Sequence, residues 1–320
     1  MATIKDVAKL ANVSISTASY ALNDVPNVHP ATKKRILEAA ATLQYSPHFS
    51  ARNLKTKKTH NVGVFIYGFS GPVFSDVLEG IRQLLQENHY HIIVSSGKAS
   101  ESFLKEKQVD GAIIFDNDLS NDMISTVAAD GLPIILLDRE FAGDNIYHHT
   151  IQNETLVYEF MQTILAKKKY QRFGFLAGPN DSYNAIHRHE GFKKALAEAG
   201  MDDYHFYQGD FTVQSGHRIG IEFHQAADRP DFVFCANDES AIGLMQSLKA
   251  LKYRIPQDVA LAGFDNYYMT NYLQPRITTI GIDHLAWGRQ IAHAMIELLK
   301  GSPHELEKSP QAMTYWRESC

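Results

Sequence analysis

Two folding units of different class are predicted for this 320-residue chain: a small N-terminal unit of three helices built around a helix-turn-helix, and a larger α/β body of two doubly wound lobes. Three observations carry the prediction. Helical apolar spacing dominates the first 45 residues. From residue 60 onward, short apolar strands alternate with amphipathic helices, the pattern of parallel sheets covered on both faces. The charge divides at the same place: residues 1–60 hold nine Lys and Arg against three Asp and Glu, and the remainder holds 22 against 33. A basic unit attached to an acidic body points to a polyanion partner for the former, which the net charge of −5 conceals.

In TIKDVAKLANVSISTASYALN, Ile4, Val7, Ala8 and Ala11 share a helical face, and Asn12 and Val13 turn the chain. Ser14 is suited to cap a second helix over about 15–22, and two short helices so connected form a helix-turn-helix. A third helix follows in HPATKKRILEAAATLQY, with Pro30 in its first turn and Ile36, Leu37, Ala40 and Leu43 as the buried stripe. Three such helices suit a generic packing unit. The outward positions of the second helix favour a DNA major groove instead: Ile15, Ser16, Thr17, Ser19 and Tyr20 are small or hydrogen-bonding, with no acid among them. The segment SPHFSARNLKTKKTHNVGVFI, residues 46–66, then leads into the body. Its Ala51, Arg52 and Leu54 permit a helix too short to be stable alone, whereas an ordinary charged linker accounts for the lysines but not for Phe49 and Leu54.

In the body, eight strands are expected, in NVGVFIY, HIIVSSG, DGAIIFD, PIILLD, RFGFLAG, HFYQGD, DFVFCAN and VALAGFD. Helical stretches such as FSDVLEGIRQLLQENH, ETLVYEFMQTILAKKK, RHEGFKKALAEAG and ESAIGLMQSLKALK separate most of them, and eight strands exceed what one lobe of ordinary size needs. Ligands of open parallel sheets lie beyond the carboxyl ends of the strands. Strands here end in Asp116, Asp138, Asn237, Asp238 and Asp265, with Gly178 and Pro179 after another. Carboxylates and amides facing one cleft suit a polyhydroxylated solute, since each hydroxyl needs a partner once water is removed. The alternative is that the acids cap the following helices, as is expected of Asp238. Phe69 and Phe74, in GFSGPVFSD, either offer stacking surfaces for an oligosaccharide or belong to the core.

Other classes are excluded by what the chain lacks. MATIKDVAKL carries Lys5 and Asp6 where an export signal needs an unbroken apolar core, and no apolar run approaches the ~20 residues of a membrane span, so a cytosolic protein is expected. Two cysteines, Cys235 in an apolar run and Cys320 at the end, are too few for a disulfide framework or a zinc site. Neither dinucleotide nor nucleotide-phosphate glycine motifs occur, nor a nucleophile elbow, and no catalytic constellation is expected. His148, His149, His187 and His189 are read as surface or cleft-rim residues without carboxylates at ligand spacing, so neither a metal nor a cofactor is expected.

With these residues in view, the chain closely resembles the lactose/galactose-repressor family of bacterial regulators. TIKDVAKLANVS, NVHPATKKRILEAA, LQYSP and SARNLKTKKT follow the family's headpiece, and AGPNDS, HRHEGF, CANDESAIGLM, VALAGFDN, PRITTI and the terminal RES extend the likeness over the whole chain. The resemblance implies a periplasmic-binding-protein-like body and a division into a headpiece (1–45), a hinge (46–59) and a core (60–320). It places lobe 1 at about 60–151 and 283–308 and lobe 2 at about 152–282 and 309–320. It implies Ile15, Ser16 and Tyr20 as base-reading residues and Thr17, Ser19, Asn23 and Thr32 as phosphate contacts. The hinge, with Ala51 and Leu54 in the minor groove, becomes helical when two subunits meet on a palindromic site, Leu54 acting as the wedge. Arg188, Asn237 and Asp265 match the main ligand-holding positions, with Asp138, Arg139 and Phe211 matching places that line the site; Phe74 is a candidate ligand residue from its own loop, apart from the resemblance.

The chain also departs from the family. Ala18, Ser19 and Tyr20 stand where Val-Ser-Arg is usual, and His29 where Ser is common. Tyr20 lacks the bidentate guanine contact of arginine, which puts the family's common operator preference in doubt. KASESFLKEKQV is shorter than the helix usual at that place. The expectation is therefore a homodimeric, non-enzymatic DNA-binding regulator, acting at the bacterial nucleoid. It would repress a carbohydrate-utilisation operon under control of a sugar, or, alternatively, respond to a purine or phosphorylated metabolite as corepressor.

Overall fold

The computed structural model describes residues 2–23, 28–45, 58–69, 71–301 and 309–320. The chain divides into two compact units, Met1–Thr59 and His60–Cys320.

The first unit contains α1 (Ile4–Leu10), α2 (Ile15–Leu22) and α3 (Pro30–Thr42). Side chains satisfy backbone amides where each helix starts. The Asp6 carboxylate accepts from the Thr3 N–H at 2.8 Å, and the Ser14 hydroxyl accepts from the Thr17 N–H at 3.0 Å. Asn12, with φ at 50°, makes the left-handed step between α1 and α2. Val7, Ala8, Ala11, Ala18, Ala21, Ile36, Ala39 and Ala40 form the core, six alanines allowing the helices to approach closely. The α3 stripe differs from the sequence reading at one place. Leu37 is exposed and Ala39 is buried, because a row at i, i+3, i+4 from Ile36 passes through Ala39 and Ala40 and leaves Leu37 on the outer flank.

The second unit has two sheets. β1 (Asn61–Ile66), β2 (His91–Ser95), β3 (Gly111–Phe115), β4 (Ile134–Leu136) and β5 (Ile146–His148) form a parallel five-stranded sheet in the order β2-β1-β3-β4-β5. The second sheet takes β6 (Phe173–Leu176), β7 (His205–Tyr207), β8 (Phe232–Cys235), β9 (Ala260–Asp265), β10 (Thr278–Ile282) and β11 (Ala312–Tyr315) in the order β11-β10-β9-β8-β6-β7. β11 is its antiparallel edge. All eight strands expected from the sequence are present; β5, β10 and β11 were not foreseen.

Helices cover the sheets. In the first lobe these are α4 (Pro72–Glu87), α5 (Lys98–Lys105) and α6 (Asn121–Ala129), and in the second α7 (Asn153–Ala166), α8 (Tyr183–Glu198), α9 (Val213–Gln225) and α10 (Asp238–Ala250). The short KASESFLKEKQV stretch still supplies α5, two turns long. After β10 the chain returns to the first lobe as α11 (His284–Leu299), which packs on α4, and then crosses back to form β11. Gly80 and Gly288 set that helix contact: a Cβ on Gly80 would stand 2.2 Å from the Leu285 carbonyl oxygen, and one on Gly288 2.2 Å from that of Val77. One apolar cluster runs through both lobes, from Val62 and Ile81 by way of Ile151 and Trp287 to Phe175 and Phe264. Cys235 is a buried hydrophobe within the second lobe. Among the described residues no helix is long and apolar enough to cross a membrane.

Candidate functional site

The first unit presents α2. Ile15 and Tyr20 are 47% and 45% exposed, large side chains that a folding unit alone would bury; Ser16 is exposed and Thr17, Ser19, Asn23 and Thr32 are half-exposed. Thr17 and Ser16 are held by the Ser14 hydroxyl, at 2.7 and 2.8 Å, which fixes the start of the helix. The Asn23 amide donates to the Ser19 carbonyl at 2.7 Å and so closes the end of α2. Ala51 and Leu54 lie outside the described residues, as does the rest of the 46–54 hinge.

In the second unit, the carboxyl ends of β1, β3, β8 and β9 converge on a cavity of about 80 Å³ between the lobes. Tyr67, Gly71, Val73, Phe74 and Phe115 enter from the first lobe and Asn184, Arg188, Phe211, Asn237, Glu239 and Asp265 from the second, with Ile151 and Trp287 on the crossovers. A neighbouring hollow of about 300 Å³ shares Val73 and Asp265 with it. A larger hollow of about 740 Å³ opens around Glu140, Tyr147, His148, Tyr183 and His187, and no candidate ligand residue from the sequence lines it. The smaller cavity has the walls of a ligand site: aromatic faces with few, convergent polar groups.

Those polar groups form one network. Arg188, 3% exposed, donates Nε–H to Asn153 Oδ1 at 2.8 Å, Nη1–H to the Ala236 carbonyl at 2.6 Å and Nη2–H to Asp265 Oδ1 at 3.4 Å, with its plane 3.7 Å from the centre of the Phe264 ring. Burial lowers the Arg188 pKa and raises that of Asp265, and the attraction between the two opposes both shifts. The guanidinium stays charged throughout the working range. Asn237 donates to the Phe211 carbonyl at 2.8 Å and accepts from the Ser240 N–H at 3.0 Å. Asp265 and Phe211 have φ of 105° and 69°, a left-handed backbone that is costly for residues other than glycine. Strain of this kind concentrates where a site dictates side-chain direction. Gly178 makes room for the Phe211 ring, whose carbons would lie 2.3 Å from a Cβ there.

Five residues singled out from the sequence, Phe74, Arg188, Phe211, Asn237 and Asp265, line this one cavity. Asp138 and Arg139 do not. Arg139 turns back into the first lobe, donating to the Leu119 carbonyl at 2.7 Å, to the Asp116 carbonyl and to Asp138 Oδ1 at 3.1 Å, so its fork holds the β3 and β4 ends together. Phe69 is exposed and outside the lining, whereas Phe74 is buried in both core and wall. Asp238 is not the cap of α10. Asn237 is, and Asp238 is buried, accepting from the Tyr267 N–H at 2.7 Å, with a carboxyl pushed well above its usual range by burial and by Asp265.

The histidines also differ from the surface reading. His149 is buried and accepts from Trp287 Nε1–H at 2.9 Å; His189 is half-buried against Phe175, and burial lowers its pKa to about 4. His187 does have carboxylates at ligand distance: Glu190, one turn on, and Glu154 from α7, all within 4.8 Å of one another. Glu154 lies 33 residues before His187 and on another helix, so sequence spacing does not bring the two together. The sequence reading also missed Tyr67, Phe115, Asn184, Glu239 and Trp287. Phe115 and Glu239 flank strand ends already marked, which was the signal available for them.

Comparison with known proteins agrees with this geometry. Residues 3–48 match the model of bacterial regulatory proteins of the lacI family, and residues 163–320 that of a periplasmic binding protein-like domain. The chain is 29% identical over 316 residues to the HTH-type transcriptional repressor PurR of Photobacterium profundum, covering 95% of this chain and 94% of that one. It is 30% identical over 289 residues to the probable HTH-type transcriptional repressor ExuR of Bacillus subtilis, covering 88% and 86%. A sugar-binding transcriptional regulator of the same family from Enterococcus faecalis has a similar structure, with TM-score 0.74 and 30% identity over 82% of this chain and 98% of that one. A basic helix-turn-helix unit, a two-lobed body and likeness over nearly the full length together place this chain in the lactose/galactose-repressor family of DNA-binding transcriptional regulators.

Proposed function

We propose that the protein is a homodimeric repressor of a carbohydrate-utilisation operon, acting in the cytoplasm at the nucleoid, whose operator affinity is set by a sugar bound between the lobes. One observation carries the ligand class: a cavity walled by Tyr67, Phe74, Phe211 and Trp287 in which Arg188 and Asp265 stand as a donor and acceptor pair. Aromatic faces suit the C–H surfaces of a pyranose, and the pair suits adjoining hydroxyls, each of which must find a partner on losing water. The sugar-binding relative from Enterococcus faecalis supports this class.

On DNA, Ile15, Ser16 and Tyr20 read bases, and Thr17, Ser19, Asn23 and Thr32 hold the phosphates on either side. Two headpieces match two half-sites, as the symmetry of a palindrome requires. The hinge of residues 46–54 orders in the minor groove, with Ala51 facing it and Leu54 wedged between base pairs. Residues 60–151 and about 283–308 act as one lobe and the rest of the body as the other. Closure around ligand changes the spacing of the two hinges, and ligand acts only through its differential affinity for the two states.

A thermal-shift screen of the full chain against mono-, di- and trisaccharides tests the reading, since a ligand of the native state raises the melting temperature. A sugar hit that also alters operator retention in a gel-shift titration supports it. Stabilisation by purines alone, with no sugar active, would remove the sugar class and leave DNA binding intact.

A further inference from the structure

We infer that the cleft rejects anionic sugars and takes an uncharged or amino sugar, with Glu239 as the residue that determines this selectivity. The inference rests on the sugar reading above and narrows its ligand class.

Three observations carry it. First, Arg188 is the one permanent cation among the described residues lining the cavity, and its charge is already paired with Asp265 while it also serves Asn153 and the Ala236 carbonyl. An incoming carboxylate or phosphate would have to compete with Asp265 for that charge. Second, the Glu239 carboxylate lines the same cavity and makes no hydrogen bond or ion pair among the described residues. Its Oε2 extends toward the opposite lobe, 4.0 Å from where a Cβ on Gly71 would stand. Third, the adjoining hollow adds Asp76 to Asp265, and His284 is the one basic residue among the described residues of its lining.

An acid in the first turn of a helix is favourable in itself. That does not account for Glu239, because Asn237 already caps α10 by accepting from Ser240, and the Glu239 carboxylate bonds none of the first-turn amides. The local charges act in the same direction as burial: burial first, then the charges of Asp265 and Glu239, raise the Tyr67 pKa, and burial and then Asp265 raise that of Glu239 itself. Within an enclosed cleft the Glu239 charge is weakly screened, so a ligand anion is repelled and a hydroxyl or ammonium donor is welcomed.

The test is calorimetry of the full chain with matched probes: glucose, galactose and cellobiose, glucosamine, glucuronate and galacturonate, and glucose 6-phosphate. For any sugar skeleton that binds, the neutral or amino form should bind at least about tenfold more tightly than its anionic counterpart at low salt. Glu239→Gln should reduce that ratio to within about threefold. Glu239→Ala serves as a second variant should the first fail to fold. An anionic probe binding as tightly as its neutral counterpart, or a ratio unaffected by either variant, overturns the inference while the sugar reading stands. Absence of heat from every probe, in both charge states, removes the sugar reading and the inference with it.

Discussion

Replacing Arg188 with methionine is the sharpest test of the cleft network. The Arg188 and Asp265 side chains are 4% and 13% exposed, so the substitution leaves a carboxylate facing an apolar chain and strips the Asn153 and Ala236 oxygens of a donor. Breaking one side of a buried pair costs about 3–5 kcal/mol. Asp265 can limit that cost by taking up a proton. Its folded pKa already lies above the ordinary carboxylate value through burial, and losing the guanidinium raises it further. A raised carboxyl favours folding below its unfolded pKa, about 3.9, and that stability is lost as pH rises through the folded value. The variant should therefore trail the wild-type body by about 4 kcal/mol at pH 7.5 and by a smaller margin at pH 4.5. Urea melts followed by tryptophan fluorescence read the body alone, since both tryptophans, Trp287 and Trp316, lie in it. A difference below about 1.5 kcal/mol at pH 7.5, or one that does not change with pH, would refute the buried ion pair as the organising feature of the cleft. Adding Asp265→Asn should recover a large part of the loss, since the coupling vanishes with its partner.

Three further outcomes are expected. Gly80→Ala forces a methyl against the Leu285 carbonyl at 2.2 Å and should destabilise the body by about 1–3 kcal/mol in the same urea assay, whereas Gly131→Ala, where a Cβ meets no atom, should cost only the strain of its φ of 93°. Ser14→Ala removes the acceptor for the Thr17 amide and should lower the headpiece melting temperature, at a cost of about 1 kcal/mol, with calorimetric ligand affinity unchanged. Leu54→Ala should weaken operator binding in gel-shift titrations by at least about tenfold while sugar binding persists, as loss of a minor-groove wedge requires; unchanged operator affinity removes the hinge from the proposal.

The headpiece was legible because its signals are local. A cap at Ser14, a proline at the first position of α3 and apolar residues at helical spacing need no distant partner to act. Leu37 shows the limit, since apolar character alone does not place a residue on the buried side of a helix. In the body, the eight apolar strands declared themselves, but β5 has three residues, β10 reads TTIGI with two threonines in a buried strand, and β11 is half exposed at an antiparallel edge. Threonines there are satisfied by partners far along the chain, as when Arg317 N–H donates to the Thr278 hydroxyl at 2.9 Å. The cleft was legible where residues end strands, and not where packing between lobes decides. Trp287 arrives from a helix that crosses back, and Arg139 points inward because three carbonyl and carboxylate acceptors surround it.

The return of α11 to the first lobe sets a schedule for synthesis. The first-lobe sheet is complete in sequence by residue 148, yet the apolar ridge of α4, with Val77, Ile81 and Leu85, is roofed by Trp287, Ile291 and Met295 from a helix about 140 residues later. A nascent chain therefore carries that ridge open while the whole second lobe is made. At ribosomal rates of about 5–20 residues per second the interval lasts on the order of ten seconds, which makes this surface the natural place for a chaperone to hold.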